Sequence, residues 1–132
     1  MKIAHGGAEG QPTAARSDRF SGTAFVDPLV TGIAEGHGIS AVTFPPGTRT
    51  HWHSHEHGQI LVVTSGRGLI CVEGEDPQPL RAGDVVWCAP GELHWHGGTA
   101  STLMTHVATS LGSPAWSGPV SDADYRSASG PA

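Results

Sequence analysis

The sequence reads as an all-β chain closed into one small barrel or double sheet. Three observations lead there. Glycine (19) and proline (10) punctuate the 132 residues densely, so the chain is cut into short elements. Strand-like runs recur between those breaks at a spacing of roughly 8–12 residues. No window carries an apolar stripe of helical period. The length suits one ordinary core, so residues 1–132 are expected to form a single domain: a barrel core over about 20–110, a loose arm over 1–19 and a tail over 111–132. Closure into a barrel is favoured because it hides strand edges.

The elements follow in order. Thr23-Ala24-Phe25-Val26 is a strand ended by Asp27-Pro28. Gly38 to Phe44 is a second, stopped by Pro45-Pro46-Gly47. Gln59 to Thr64 is a third, closed by Ser65-Gly66-Arg67-Gly68, and Leu69 to Glu73 a fourth, ended by Gly74-Glu75-Asp76-Pro77. Asp84 to Cys88, Leu93 to His96 and Ser101 to Ser110 complete the set, and the Gly-, Pro-, Ser- and Ala-rich tail offers only Trp116 and Tyr125 as anchors.

Composition excludes several classes. The formal charge is -5 with no basic cluster, which argues against nucleic acid and anionic lipid as partners. No apolar run approaches the ~18–20 residues of a membrane span, and the first residues show no secretory leader, so a cytoplasmic location is expected. Cys71 and Cys88 are expected as two buried free thiols.

Histidine is the informative residue: seven of the nine fall between His51 and His106. His51, His53, His55 and His57 alternate along one segment, and His94 and His96 along another. Residues two apart on a strand share a face, so each H-x-H pair aims two imidazoles the same way. Imidazole is the commonest protein ligand for divalent metals, and a pair from one strand with a third ring from its neighbour supplies a facial set with positions left open. In Ser101 to Ser110, Met104, His106 and Ala108 alternate with Leu103, Thr105 and Val107; if the Met104 face is inward, His106 enters the interior opposite His96. Two imidazoles that are not ligands, beside a Lewis acid, form an acid/base pair.

These segments also carry a family resemblance. Gly47, His53, His55, Gln59 and Gly66 keep every spacing of the first cupin motif, G-x5-H-x-H-x3-E-x6-G, with Gln in place of Glu. The segment Gly83 to His94 resembles the second motif, G-x5-P-x-G-x2-H, with Ala89 at the first proline and Gly98 at the usual later Asn. The resemblance implies a cupin barrel, a double-stranded β-helix of the jelly-roll type. It implies His53, His55 and His94 as metal ligands and Gln59 as an amide-oxygen ligand, leaving His51 and His57 at the mouth or surface. Phe20 to Leu29, both motifs, His94-Trp95-His96-Gly97, Met104-Thr105-His106 and Trp116 to Tyr125 further resemble the small bacterial cupin hydroxynitrile lyases. That group holds manganese on three His and one Gln and makes or cleaves cyanohydrins of aromatic aldehydes.

The resemblance implies one divalent ion per chain, Mn(II) favoured, with Fe(II), Ni(II), Co(II) or Zn(II) also compatible with such ligands. A neutral Gln59 leaves the full +2 charge on the centre, which favours a developing oxyanion over a high-valent oxo group. His106 is assigned as the base and His96 as the partner of the leaving cyanide. Val42, Leu61, Val63 and Trp87 are candidates for the apolar wall. The competing classes are an Fe(II) dioxygenase, an isomerase or decarboxylase with an enolate intermediate, and a non-catalytic ligand-binding cupin. By the same resemblance the chain pairs as a homodimer or larger homo-oligomer, its N-terminal strand adding to a partner's sheet.

Overall fold

The computed structural model describes residues 1–5, 12–31, 33 and 36–128. Its strands are β1 (Ala14–Arg16), β2 (Phe20–Ser21), β3 (Ala24–Val30), β4 (Gly38–Phe44), β5 (Arg49–Thr50), β6 (His53–His55), β7 (Gln59–Val72), β8 (Gln78–Arg81), β9 (Val85–Cys88), β10 (His94–Gly98), β11 (Met104–Ser110) and β12 (Pro114–Trp116), followed by a helix, α1 (Asp122–Ala128). Every pairing is antiparallel. One wall of the barrel runs β1-β3-β4-β11-β7-β9. The other starts from β8 and β7 and continues through β10 to β5 and β6, with β2 beside β5 and β12 beside β6.

Long β7 belongs to both walls, which corrects the reading of two strands separated by a turn at Ser65-Gly66-Arg67-Gly68. Those glycines form a corner. Gly66 has φ +76°, and a side chain there would strike the carbonyl oxygen of Leu103. A Cβ on Gly68 would strike the carbonyl of Gly97 and the Met104 sulfur. Only glycine lets the strand bend across so close a neighbour. Before the corner Gln59, Leu61 and Val63 are buried and Ile60, Val62 and Thr64 exposed. After it Leu69, Ile70 and Cys71 are all buried, because both faces are covered.

Three other expectations are corrected. The arm is structured at Ala14–Arg16, where β1 pairs with β3. Strand β3 continues through Asp27-Pro28 to Val30, absorbing the proline at a register shift between Pro28 and Val30. The tail adds a strand to β6 and ends in α1.

Inside the barrel, Phe44, Leu61, Val63, Ile70, Met104 and Ala108 form the core beneath the histidines. A second cluster lies outside the β7–β10 wall: Leu69, Cys71 and Trp95 packed under Val120 and Tyr125. Buried Arg49 clasps this cover. Its guanidinium donates to the carbonyl of Val120 at 2.9 Å and to Asp122 Oδ1 at 2.7 Å, and lies 4.4 Å from the centre of the Tyr125 ring. Among the described residues the opposite wall has no such cover; Ile60, Val62, Val85 and Trp87 are exposed on its outer face. Both cysteines are free and buried, as expected. Among the described residues, no helix is long and apolar enough to cross a membrane.

Candidate metal centre

Strand alternation and cross-strand register bring the polar side chains together. On β10, His94 and His96 face the interior while Trp95 faces the α1 side. His94 stands opposite His53 of β6 and Val72 of β7. His106 of β11 stands opposite Val42 and Val63, so the Met104 face is the inner one. His53, His55, Gln59, His94, His96 and His106 are all buried. His53, His94 and His96 bring one ring nitrogen each within 4.8 Å of one another. The His55 ring lies 5.1 Å from that of His53 and 5.9 Å from that of His94, centre to centre. His96, set outside the ligand group by the sequence reading, thus stands at the border between the cluster and His106. His51 is half-buried and His57 exposed beside Glu56.

Hydrogen bonds decide which ring atoms are free. His53 Nδ1 donates to the carbonyl of His51 at 2.9 Å, and His94 Nδ1 to that of Glu92 at 2.8 Å. In the neutral rings this leaves Nε2 as a lone pair, the tautomer that second-shell carbonyls impose on metal-binding histidines. Gln59 Nε2 donates to Ser110 Oγ at 3.1 Å, which turns Oε1 toward His94 Nε2, also at 3.1 Å. Two lone pairs then face each other. Either the amide turns over or a cation sits between them. Among the described residues, both ring nitrogens of His55 are buried with no well-formed hydrogen bond and only the Gln59 amide acting on them, a costly state that a ligated ion relieves. The residues therefore fit a divalent cation.

The electrostatics agree. Burial, reinforced by the neighbouring His94, pushes His53 down from 6.5 to about 3 and His55 to about 4. Burial also lowers His94, and holds His96 well below its ordinary value. His106 is brought to about 4 by burial. Neutral imidazole is the ligating form, so the fold rejects protons where a metal binds.

His96 Nδ1 and His106 Nε2 are 3.0 Å apart and share one proton, while among the described residues His96 Nε2 and His106 Nδ1 have no hydrogen-bond partner. In a neutral pair, the ring that donates the shared proton has a bare outer nitrogen, and the ring that accepts it carries its own proton on its outer nitrogen. One outer nitrogen is thus a base and the other an acid, and a proton taken up at the first, passed across the shared contact and released from the second exchanges them.

A cavity of ≈ 290 Å³ opens on this cluster, lined by Phe20, Val26, Val42, Phe44 and Ala108 among apolar residues and by Arg16, Asp18 and Arg19. Val42 lines it as expected. Leu61 and Val63 lie in the core instead, and Trp87 is 55% exposed on the outside. Trp87 pairs with Ile60, whose neighbours Gln59 and Leu61 point inward, so both must point out. The sequence reading missed one wall: Trp116, brought by β12, stacks on His53 with ring centres 4.6 Å apart. No alternation in Pro114-Ala115-Trp116 announces it.

Residues 40–108 match the cupin domain family. The chain belongs to the cupin family. This cupin is 43% identical over 118 residues to an (R)-mandelonitrile lyase of Granulicella tundricola, covering 83% of this chain and 88% of that one. A crystal structure of a cupin-like protein from Thermotoga maritima superposes with TM-score 0.82 at 39% identity, over 86% of this cupin and 90% of its counterpart. A predicted oxalate decarboxylase from the same organism shares the fold, with TM-score 0.71 at 22% identity over 84% and 98% of the two chains.

Proposed function

We propose that this cupin is a divalent-metal lyase of the hydroxynitrile type, which cleaves and forms cyanohydrins of aromatic aldehydes. The observation that carries the reading is the buried His96–His106 pair, joined at 3.0 Å, beside a cluster of neutral imidazoles. The likeness to a mandelonitrile lyase supports it. His53, His55, His94 and the Gln59 amide oxygen would hold the ion, Mn(II) by preference. When bound, such an ion supplies electrostatic stabilisation of negative charge on a substrate oxygen.

The chain's own residues do the rest. The apolar wall at Val42, Phe44 and Ala108 holds the aryl group and excludes water. His106 takes the hydroxyl proton at its free Nδ1. The oxygen lone pair closes the carbonyl, the bond to the nitrile carbon breaks, and cyanide leaves with that electron pair. The shared proton moves within the pair, and His96 protonates cyanide from Nε2. The proton count balances, with aldehyde and hydrogen cyanide as products. Synthesis runs the same transfers backward. The uncharged outer face at Ile60, Val62, Val85 and Trp87 supports self-association as a homodimer, which sedimentation at micromolar concentration measures.

The test is cleavage of mandelonitrile by protein reconstituted with Mn(II) or Fe(II). Turnover that requires the metal and falls by two or more orders of magnitude in His106→Ala is expected. No turnover above the metal-free protein, or full turnover in His106→Ala, overturns the reading; oxygen uptake with Fe(II) would point to a dioxygenase.

A further inference from the structure

We propose that the cavity receives a small organic anion, a substrate carrying a carboxylate remote from its reacting carbon, and that Arg19 at the mouth is the group that binds it. This deepens the lyase reading by naming the far end of its substrate, and rests on that reading for the reacting end alone.

The charge around the cavity is the first observation. Its charged lining residues are Arg16, Asp18 and Arg19. Arg16 and Asp18 neutralise each other through bonds of 3.1 and 3.3 Å. Arg19 makes no ion pair of its own among the described residues, though its charge acts on neighbouring Asp18, so the described lining sums to one positive charge. The chain as a whole carries -5, a field that repels anions. A lone cation at the entrance reverses that field where a ligand enters.

The backbone is the second. Arg19 has φ +67° and is the one described residue other than glycine in the left-handed region. Its carbonyl accepts the N–H of His51 at 2.8 Å, which ties this turn to the histidine segment. Glycine would adopt this conformation freely, and asparagine more readily than arginine. The turn alone gives no reason for a long cationic side chain there, and strain of this kind gathers at ligand sites.

The third is where the side chain goes. The guanidinium carbon lies 5.1 Å from the centre of the Trp116 ring, and that ring stacks on His53. Contact with the indole places the fork of N–H donors at the cavity rim within one aromatic ring of the metal cluster. A planar guanidinium receives a carboxylate through two parallel hydrogen bonds. A ligand that reaches from the cluster to the rim then has an uncharged middle against Val42 and Phe44 and an anionic end on Arg19.

The experiment compares benzenesulfonate with methyl phenyl sulfone, its neutral analogue, binding to the Mn(II)-loaded protein and followed by tryptophan fluorescence. Sulfonate is a weak metal ligand, so a preference for it reports Arg19. Wild type is expected to bind the anion about fivefold more tightly, as a partly exposed charge pair allows. That preference should shrink as ionic strength rises to about 0.5 M, and approach parity in Arg19→Gln and Arg19→Gly. Glycine relieves the backbone strain, so its loss of preference is not a loss of folding. In parallel, the cyanohydrins of 4-formylbenzoate and of its methyl ester are assayed for cleavage. The acid should show the lower KM in wild type, and the advantage should vanish in both variants. Equal affinity for the two sulfur ligands in wild type, or a preference that survives both substitutions, overturns the anion site. Cleavage of either cyanohydrin without that preference leaves the lyase reading standing alone. An Arg19-dependent preference with no cleavage leaves the anion site and removes the lyase.

Discussion

Acidifying the metal-free protein from pH 8 to pH 5 should remove about 6 kcal/mol of stability through three side chains, His53, His55 and His106. Burial brings them from 6.5 to about 3, about 4 and about 4. In the unfolded chain each imidazole takes up its proton as pH falls below 6.5, whereas the folded chain refuses it. Stability is therefore undiminished above 6.5 and is lost as pH falls toward about 4. At pH 5 each ring contributes about 2 kcal/mol of penalty, the free energy of a displacement of ~1.5 pH units. His94 and His96 are displaced in the same direction and add to it. The sum rivals the whole stability of a typical domain, 5–15 kcal/mol in general. Urea unfolding followed by tryptophan fluorescence, in chelator, measures it. His106→Gln removes one titrating group and should reduce the difference between pH 8 and pH 5 by about 2 kcal/mol. An unfolding free energy that is flat over this range, or one whose pH dependence His106→Gln leaves unchanged, would refute the claim that the fold holds these rings neutral.

Other outcomes follow from particular contacts. Gln59→Glu should bind a divalent cation more tightly by chelator competition yet cleave cyanohydrin more slowly, because the added charge weakens the pull on a substrate oxygen; an unchanged rate would remove the argument from a neutral amide. Gly68→Ala puts a methyl group into the Gly97 carbonyl and the Met104 sulfur, and should cost about 2–4 kcal/mol in urea denaturation. Tyr125→Phe deletes the buried hydroxyl that donates to the carbonyl of Gly98, and should cost about 1–2 kcal/mol, read as a lowered Tm with the barrel's circular dichroism retained.

Residues that report on two-residue alternation are legible in the sequence itself. Gly38–Phe44 carries its own bounds, because Val42 and Phe44 face one way and Pro45-Pro46 stops the strand. The inward turn of Met104 and His106 follows from the same rule. What stayed hidden depends on contacts between distant segments. Gly66 and Gly68 have the local signature of a turn, and only the approach of Leu103 and Gly97 makes them a corner. Trp87 is apolar like Leu61, but its face is fixed by pairing with Ile60. Helix α1 did leave a trace: Ser121 Oγ accepts the Asp124 N–H at 3.1 Å, and Asp122 and Asp124 open the first turn. A seven-residue helix carries too few side chains to show a period, and its stability comes from Arg49 and Trp95, far away in sequence. Within the candidate site the histidines announced themselves by spacing. Trp116 and Arg19 did not, since nothing in their neighbours' identities says which ring or cavity they meet.

The stack of Trp116 on His53 has a bearing on how the centre is assembled during synthesis. All the imidazoles have been polymerised once residue 106 is added, but the indole that walls them arrives ten positions later, and the Arg49 clasp with Asp122 later still. The stack therefore forms by docking of a late segment onto rings whose own strands all come earlier in the chain. Because the cavity still opens on the cluster in the finished barrel, that late docking walls one side of the rings and leaves a path by which a bound ion can exchange.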